Sequence, residues 1–179
     1  TEIYTLSLHD ALPICQQAAL EAALSLLPAE TEGVQVLDVG CSVGYLVHGL
    51  ENAGYKAIGV DVSERALQWA SEHGPGLFIA SDCTQTLPRG PFDLVTMIDA
   101  LEHLPGHRQR ESLIRCLFSM KPGARLLLRF PHGVKDLQIL EGTIYPKLVA
   151  RMLRDHGCTI ERYGKCGDDY FEIVARKAG

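Results

Sequence analysis

Acidic side chains recur at the ends of four short apolar segments of the chain. The segments are 34–39, 57–61, 77–80 and 92–98, and their acids are Asp38, Asp61, Asp82 and Asp99. Carboxylates attract ammonium or sulfonium cations, accept hydrogen bonds from hydroxyl and amino groups, and repel phosphates. If the fold brings the segment ends together, this pattern indicates a site for a positively charged ligand without phosphates.

The turn after the first segment carries two glycines, Gly40 and Gly44, in the pattern G-x-x-x-G directly after Asp38. Glycines let a chain turn sharply and let a ligand touch its backbone. The dinucleotide fingerprint G-x-G-x-x-G has a third glycine, and it binds a pyrophosphate that a neighbouring carboxylate would repel. A nicotinamide-dependent oxidoreductase is therefore a disfavoured alternative. A second alternative is that Asp38 only caps the turn.

The next two acids fit the parts of a nucleoside. Asp61 is placed to accept hydrogen bonds from two ribose hydroxyls. Asp82 would accept one from an exocyclic amine, with Cys83, Val62 and Leu87 as apolar walls for the base. These features predict a ligand with a cationic amino-acid end, a ribose and an amino-purine. S-adenosylmethionine has these parts.

Helices and strands must alternate along the chain to position these residues. Hydrophobic periodicity and stop signals predict helices over 16–27, 43–53, 64–73, 109–120 and 144–156. They predict strands over 34–39, 57–61, 77–80, 92–98, 124–130, 159–163 and 170–176. Strands separated by helices need crossovers, which give a parallel sheet covered on both faces. The last two strands have only a short link between them, so we expect that pair to be antiparallel.

The composition is typical of one soluble globular domain. The chain has 179 residues, of which 46% are hydrophobic and 22% are charged, with a formal net charge of −5. Its basic residues are scattered, so we expect no nucleic-acid partner. No apolar run approaches ~20 residues, so we expect no membrane span. The six cysteines form no CxxC pair, which indicates reduced thiols in a cytoplasmic protein.

Four stretches resemble the successive motifs of class I S-adenosylmethionine-dependent methyltransferases. They are VLDVGCSVGYL, GVDVS, ASDCTQTLP and FDLVTMIDALEHLP, and the resemblance covers roughly residues 16–177. It implies an α/β fold, a Rossmann-like three-layer sandwich with a mostly parallel seven-stranded sheet whose last strand is antiparallel. It also implies a set of cofactor-binding residues: Asp38, Gly40 and Gly44 for the methionyl end, Asp61 for the ribose, Asp82 and Cys83 for the adenine, and Ile98 and Asp99 beneath the sulfonium. Cys41, Tyr45 and Val62 complete the predicted cofactor-binding residues.

A general base helps methyl transfer when the acceptor is a hydroxyl or a protonated amine. His132 and His103 follow predicted strands at the edge that would hold the ligand, and they are the candidate catalytic residues. The alternative is that both are polar residues of the rim. Asp99, Glu102 and His103 resemble the acid-x-x-Glu-His metal site of some O-methyltransferases, but the first acid is the shorter Asp and no fourth ligand is evident. We predict no metal.

The predicted function is a methyltransferase that transfers a methyl group to an O or N atom of a small-molecule acceptor. The alternative from another class is a non-catalytic S-adenosylmethionine-binding or scaffold domain that pairs with another chain. The sequence leaves the acceptor and the oligomeric state open.

Residues 1–14, TEIYTLSLHDALPI, resemble the translation of a common short-read sequencing adapter, residue for residue. We therefore expect a non-native segment over 1–14 and one methyltransferase domain over 15–179, with a genuine N-terminus missing. A native amphipathic extension is the alternative.

Overall fold

The computed structural model describes residues 14–131, 143–167 and 169–179. Its helices are α1 (Ile14–Leu24), α2 (Tyr45–Asn52), α3 (Glu64–His73), α4 (Gly106–Ser119) and α5 (Pro146–Asp155), with a 3₁₀ turn at Leu101–His103. Its strands are β1 (Gln35–Val39), β2 (Lys56–Asp61), β3 (Leu77–Ala80), β4 (Phe92–Ile98), β5 (Met120–Pro131), β6 (Cys158–Cys166) and β7 (Tyr170–Lys177).

The seven strands of the described chain form one sheet in the order β3-β2-β1-β4-β5-β7-β6. The pairs from β3 through β5 are parallel, whereas β7 is antiparallel to both β5 and β6. The predicted fold class is confirmed, including the antiparallel last strand. The connections reverse direction between β1 and β4, and this switch point is where open α/β sheets bind ligands, beyond the carboxyl ends of the strands.

Local sequence signals set several of these elements. Ser63 caps α3, since its Oγ accepts a hydrogen bond from the backbone N–H of Ala66 at 3.3 Å. The bounds of α3, β3 and β4 are those predicted from sequence. Helix α4 begins three residues earlier than predicted, after Pro105, whose fixed φ suits a helix start. Strand β5 begins at Met120, because Met120 already pairs with Phe92 across an irregularity in the ladder.

The sheet has an apolar core on each face. Along β5, Leu126 and Leu128 pack against α4 and α5, whereas Leu127 faces α1 and α2. Leu20 and Ala23 of α1 are buried on that second face, as the predicted apolar stripe of the first helix requires. Helix α1 therefore packs against α2 and β4.

Some predictions fall outside the described residues. They concern His132 and residues 1–13 of the segment that resembles an adapter, and they stay predictions. Ile14, the last residue of that segment, begins α1. None of the described helices combines the length and the apolar composition needed to cross a bilayer.

Candidate functional site

Two adjoining cavities lie at the carboxyl ends of β1, β2 and β4. The α1 cavity has a volume of about 270 Å³, and its wall includes Gln16, Asp38, Cys41, Tyr45, Ile98 and Asp99. The β2 cavity has a volume of about 400 Å³, and its wall includes Asp61, Val62, Asp82, Cys83, Asp99 and His103. Gly40, Ser42 and Asp99 line both cavities. The structure thus brings the four strand-end acids together along one edge, as the sequence pattern predicts.

Asp38 is the most deeply buried of the four acids, with 4% of its surface exposed. Thr96, on the neighbouring strand β4, donates a hydrogen bond from Oγ1 to Asp38 Oδ1 at 2.7 Å. The pKa of Asp38 is raised to about 6. Burial is the largest cause and the charge of Asp61 adds to it, whereas the hydrogen bond from Thr96 opposes the rise. A nearby cation would favour the ionised form of this carboxyl group.

Backbone hydrogen bonds hold the glycine turn in place after β1. The N–H groups of Gly40 and Cys41 both donate to the carbonyl of Val60, at 2.8 and 3.0 Å. Gly40 has φ +79°, and a Cβ there would overlap the Cβ of Ala100. The side chain of Ala100 therefore occupies the space that a Cβ at Gly40 would need. Of the predicted contact residues in the described chain, Gly44 lines neither cavity.

Asp61 ends β2 and braces the glycine turn. Its Oδ2 accepts a hydrogen bond from the N–H of Ser42, and its Oδ1 accepts one from the N–H of Ser63, each at 2.9 Å. Each carboxylate oxygen can accept a second hydrogen bond. Asp61 is half-buried in the wall of the β2 cavity, so both oxygens keep capacity for donors such as ribose hydroxyls.

Asp82 is held in a local turn beyond β3. Its Oδ1 accepts hydrogen bonds from the N–H and hydroxyl of Thr84, at 2.8 and 2.7 Å, and its Oδ2 accepts one from Gln85 at 2.9 Å. These hydrogen bonds lower the pKa of Asp82. Burial raises the pKa of the adjacent Cys83 thiol to about 11, so Cys83 presents a neutral apolar surface to the β2 cavity. Leu87, predicted as a further wall, is not among the residues that line the β2 cavity, although it packs against the same core cluster as Cys83.

Asp99 joins the two cavities, and its backbone is unusual. Its φ of +51° lies in the left-handed region, which non-glycine residues seldom adopt. Its Oδ2 accepts a hydrogen bond from the hydroxyl of Tyr170 at 3.2 Å, and its Oδ1 is buried with no hydrogen-bond partner among the described residues. Burial raises the pKa of Asp99, and the hydrogen bond from Tyr170 and the charge of Arg129 oppose this rise.

Sequence analysis missed three residues at this edge: Gln16 on α1, Arg129 on β5 and Tyr170 on β7. The Arg129 guanidinium lies 5.8 Å from the ring centroid of Tyr170, and the Arg129 side chain is 8% exposed. Arg129 is the only charged residue within the run Leu-Leu-Leu-Arg-Phe. An arginine in a buried strand needs a charged or aromatic partner, so the sequence could have indicated that Arg129 contacts another side chain. Gln16 and Tyr170 carried no comparable signal.

The neighbouring residues Glu102 and His103 of the 3₁₀ turn after β4 differ in exposure to solvent. His103 is exposed and lines the β2 cavity beside Ala100 and Leu104. Glu102 is 3% exposed, and burial raises its pKa to about 7. No group of three His, Cys, Asp or Glu side chains within the described part of the chain is arranged to hold a metal ion.

The arrangement defines a class of protein: an α/β domain with linked, acid-lined cavities at the switch point of its sheet. Residues 14–170 match the family described as a methyltransferase domain, so the chain belongs to that family.

Curated relatives of the chain include two ubiquinone biosynthesis O-methyltransferases. The one from Thiobacillus denitrificans is 36% identical over 163 residues, which cover 74% of this chain and 68% of the relative. The one from Methylococcus capsulatus is 34% identical over 154 residues, covering 70% of this chain and 63% of the relative. For several other such relatives the chain spans about half or less of their length.

Among solved structures, the chain is similar to magnesium protoporphyrin IX methyltransferase from Synechocystis PCC 6803 with bound S-adenosylhomocysteine. The TM-score is 0.78 at 21% sequence identity, covering 99% of this chain and 90% of that one. This likeness shows that the two share a fold.

Proposed function

We propose that this protein is an S-adenosylmethionine-dependent methyltransferase that acts on an O or N atom of a small-molecule acceptor. The observation that carries the proposal is the charge of the two linked cavities. Their walls contain Asp38, Asp61, Asp82 and Asp99, and among the described residues no Lys or Arg lines either cavity. A cationic nucleoside without phosphates complements such a surface, whereas a dinucleotide would meet repulsion at each of its phosphates.

The residues present fit such a nucleoside. Asp38 and the unpartnered Oδ1 of Asp99 provide acceptors for an ammonium group in the α1 cavity. Asp61 retains lone pairs for the two ribose hydroxyls in the β2 cavity. Asp82 would accept from the adenine amino group once the exposed Gln85 releases its Oδ2, and Val62, Cys83 and Leu104 supply apolar surface for the ring.

When bound, S-adenosylmethionine supplies a methyl group on a sulfonium, which is already activated as a leaving group. The protein's part is then mainly orientation, because positioning two reactants contributes most when no further activation is needed. Asp99 lies where the cavities join and Ile98 precedes it in the wall of the α1 cavity, so the two would form the floor beneath the sulfonium. The buried Asp38 and the left-handed Asp99 are fixed by Thr96 and Tyr170, which favours a rigid floor.

An acidic acceptor group needs a base to remove its proton, and His103 and His132 remain our candidates. His103 lines the nucleoside side of the site, so it serves as base only for an acceptor that enters beside the β2 cavity. His132 directly follows Pro131, the last residue of β5, and lies outside the described residues. The matched relatives support an acceptor of this kind, since those named above methylate oxygen in ubiquinone biosynthesis.

Calorimetric titration of the full chain tests the proposal. We expect S-adenosylmethionine and S-adenosylhomocysteine to bind and NAD⁺ not to bind. Release of S-adenosylhomocysteine with a panel of small phenols and amines would then identify the acceptor class. Binding without release on any acceptor would favour the non-catalytic scaffold, and binding of NAD⁺ alone would favour the oxidoreductase.

A further inference from the structure

Two buried oxygen atoms of the α1 cavity lack hydrogen-bond partners within the described residues. They are Gln16 Oε1, on the first turn of α1, and Asp99 Oδ1, at the end of β4. Both residues line the same cavity. Buried polar atoms are nearly always paired in folded proteins, because their lost hydration is otherwise not recovered. Two orphan acceptors on residues that line one cavity indicate a ligand that donates hydrogen bonds to both.

We propose that Gln16 binds the ammonium group of the ligand's amino-acid end, together with Asp99; this inference rests on the proposed function. An ammonium group has three donors and no acceptor, so it can satisfy both orphan oxygens at once. Asp38 adds a second carboxyl group to the same wall, and the described residues of that wall include no Lys or Arg. A carboxylate in this position would be repelled by both acids, so the ammonium is the end that faces Gln16.

Packing of α1 explains how a helix outside the strand-end motifs reaches the site. Gln16 and Leu20 are one turn apart and share a helix face. Leu20 is buried against Gly49 of α2, where a Cβ would lie 2.7 Å from Leu20 Cδ2. This close contact fixes the height of α1 over the sheet and turns Gln16 toward the cavity. Gln17 instead reaches along the helix to Glu21 at 3.4 Å, so it is a matched control.

The experiment compares two ligands that differ in the amino-acid end. S-adenosylhomocysteine carries that end, whereas 5′-methylthioadenosine keeps the nucleoside and lacks it. For Gln16→Met, which preserves side-chain length without an amide, we expect affinity for S-adenosylhomocysteine to fall about tenfold, as for a lost hydrogen bond to a charged group. Affinity for 5′-methylthioadenosine should stay within about twofold, which also shows that the variant is folded. Gln17→Met should leave both affinities unchanged.

A second variant identifies which atom of the amide makes the contact. Gln16→Glu keeps an oxygen acceptor and removes the N–H donors, so it should bind S-adenosylhomocysteine at least as well as the parent chain. If Gln16→Glu loses as much affinity as Gln16→Met, the amide N–H groups make the contact and the ammonium assignment is wrong. Equal losses for the two ligands, or no loss with Gln16→Met, would also overturn it. A parent chain that binds neither ligand would refute the proposed function itself.

Discussion

The hydroxyl of Tyr170, the first residue of the antiparallel strand β7, donates a hydrogen bond to Oδ2 of Asp99 at 3.2 Å. Asp99 follows β4, and β5 lies between these two strands in the sheet. The contact therefore spans a strand and fixes one oxygen of a carboxyl group whose other oxygen has no partner in the described structure. Tyr170 orients the acid that joins the two cavities.

Replacing Tyr170 by Phe should weaken cofactor binding. The hydrogen bond from Tyr170 lowers the pKa of Asp99, so its loss lets burial raise that pKa further and reduces the carboxylate fraction. We expect a loss of about 1 kcal/mol in the binding of S-adenosylhomocysteine at neutral pH. The loss should be larger at pH 6 than at pH 8.5, as measured by calorimetry. Tyr163→Phe, an exposed tyrosine of β6, is the control, and a loss independent of pH would contradict this role of Tyr170.

Cofactor affinity should rise with pH as Asp38 ionises. Its pKa is raised to about 6 by burial, so the group is mostly protonated at pH 5 and mostly ionised at pH 7. A cationic ligand binds the ionised form, and binding near pH 6 should release a proton. Titrations in buffers of different ionisation enthalpy would count that proton. In the variant Asp38→Asn, the part of this pH dependence that comes from Asp38 should disappear. If affinity rises with pH as steeply in the variant as in the parent chain, Asp38 is not the group that ionises on binding.

Asp61→Ala should lower the affinity for S-adenosylhomocysteine by about 1.5–3 kcal/mol, the range for lost hydrogen bonds to a charged acceptor. The same variant also releases the N–H groups of Ser42 and Ser63, so part of the loss is structural. Comparing the ligand with its 2′,3′-dideoxyribose analogue separates the two effects. The loss of affinity for that analogue measures the structural part alone. The loss of affinity for S-adenosylhomocysteine should be larger, and equal losses for the two ligands would contradict the ribose assignment. Asp155→Ala, at an exposed position on α5, is the control.

Gly40→Ala should destabilise the fold even without ligand. The added Cβ overlaps Ala100 Cβ, and a side chain at φ +79° is strained. Gly123 has the same φ of +79° but nothing within 4 Å of its Cβ position, so Gly123→Ala reports the strain alone. We expect Gly40→Ala to cost at least about 1 kcal/mol more than Gly123→Ala in denaturant unfolding. Ala100→Gly should recover that difference in the double variant, and no recovery would contradict the overlap.

Glu102→Gln should stabilise the protein at alkaline pH. Burial raises the pKa of Glu102 from 4.5 to about 7, so the folded state holds this proton more tightly than the unfolded state does. Its unfavourable contribution therefore begins as pH rises above 4.5 and is complete above about 7. The stability difference between the variant and the parent chain should grow by about 2–3 kcal/mol from pH 4.5 to pH 8. The exposed Glu111→Gln is the control for denaturant unfolding at both pH values.

The sequence was sufficient to predict the sheet and its acidic edge. Nearly unbroken apolar runs such as Phe92–Ile98, in which only Asp93 and Thr96 are polar, mark strands buried on both faces. The ends of these strands place the acids without further information. Ser63 marks the start of α3 because a side-chain cap is a local interaction. Strand β6 extends to Cys166, well past the predicted end at residue 163, because its length is set by pairing with β7 rather than by its own residues.

The contacts that complete the site are long-range and have no local pattern. Tyr170 and Asp99 are 71 positions apart, and nothing in either neighbourhood predicts their hydrogen bond. Gln16 reaches the cavity only because Leu20 packs on Gly49, which is a property of two helices together. The close approach of Ala100 to Gly40 is likewise a contact between two separate turns that neither local sequence predicts.

The reversed direction of β7 brings the turn between β6 and β7 close to the candidate site. Because β7 runs against β5, the turn from β6 into β7 lies at the same edge as the carboxyl ends of the parallel strands. Insertions in that turn would reshape the space above Asp99 while leaving the strand ladders and the nucleoside contacts intact. Under the proposed function, acceptor preference could therefore change at this hairpin without any change in the residues proposed to hold the methyl donor.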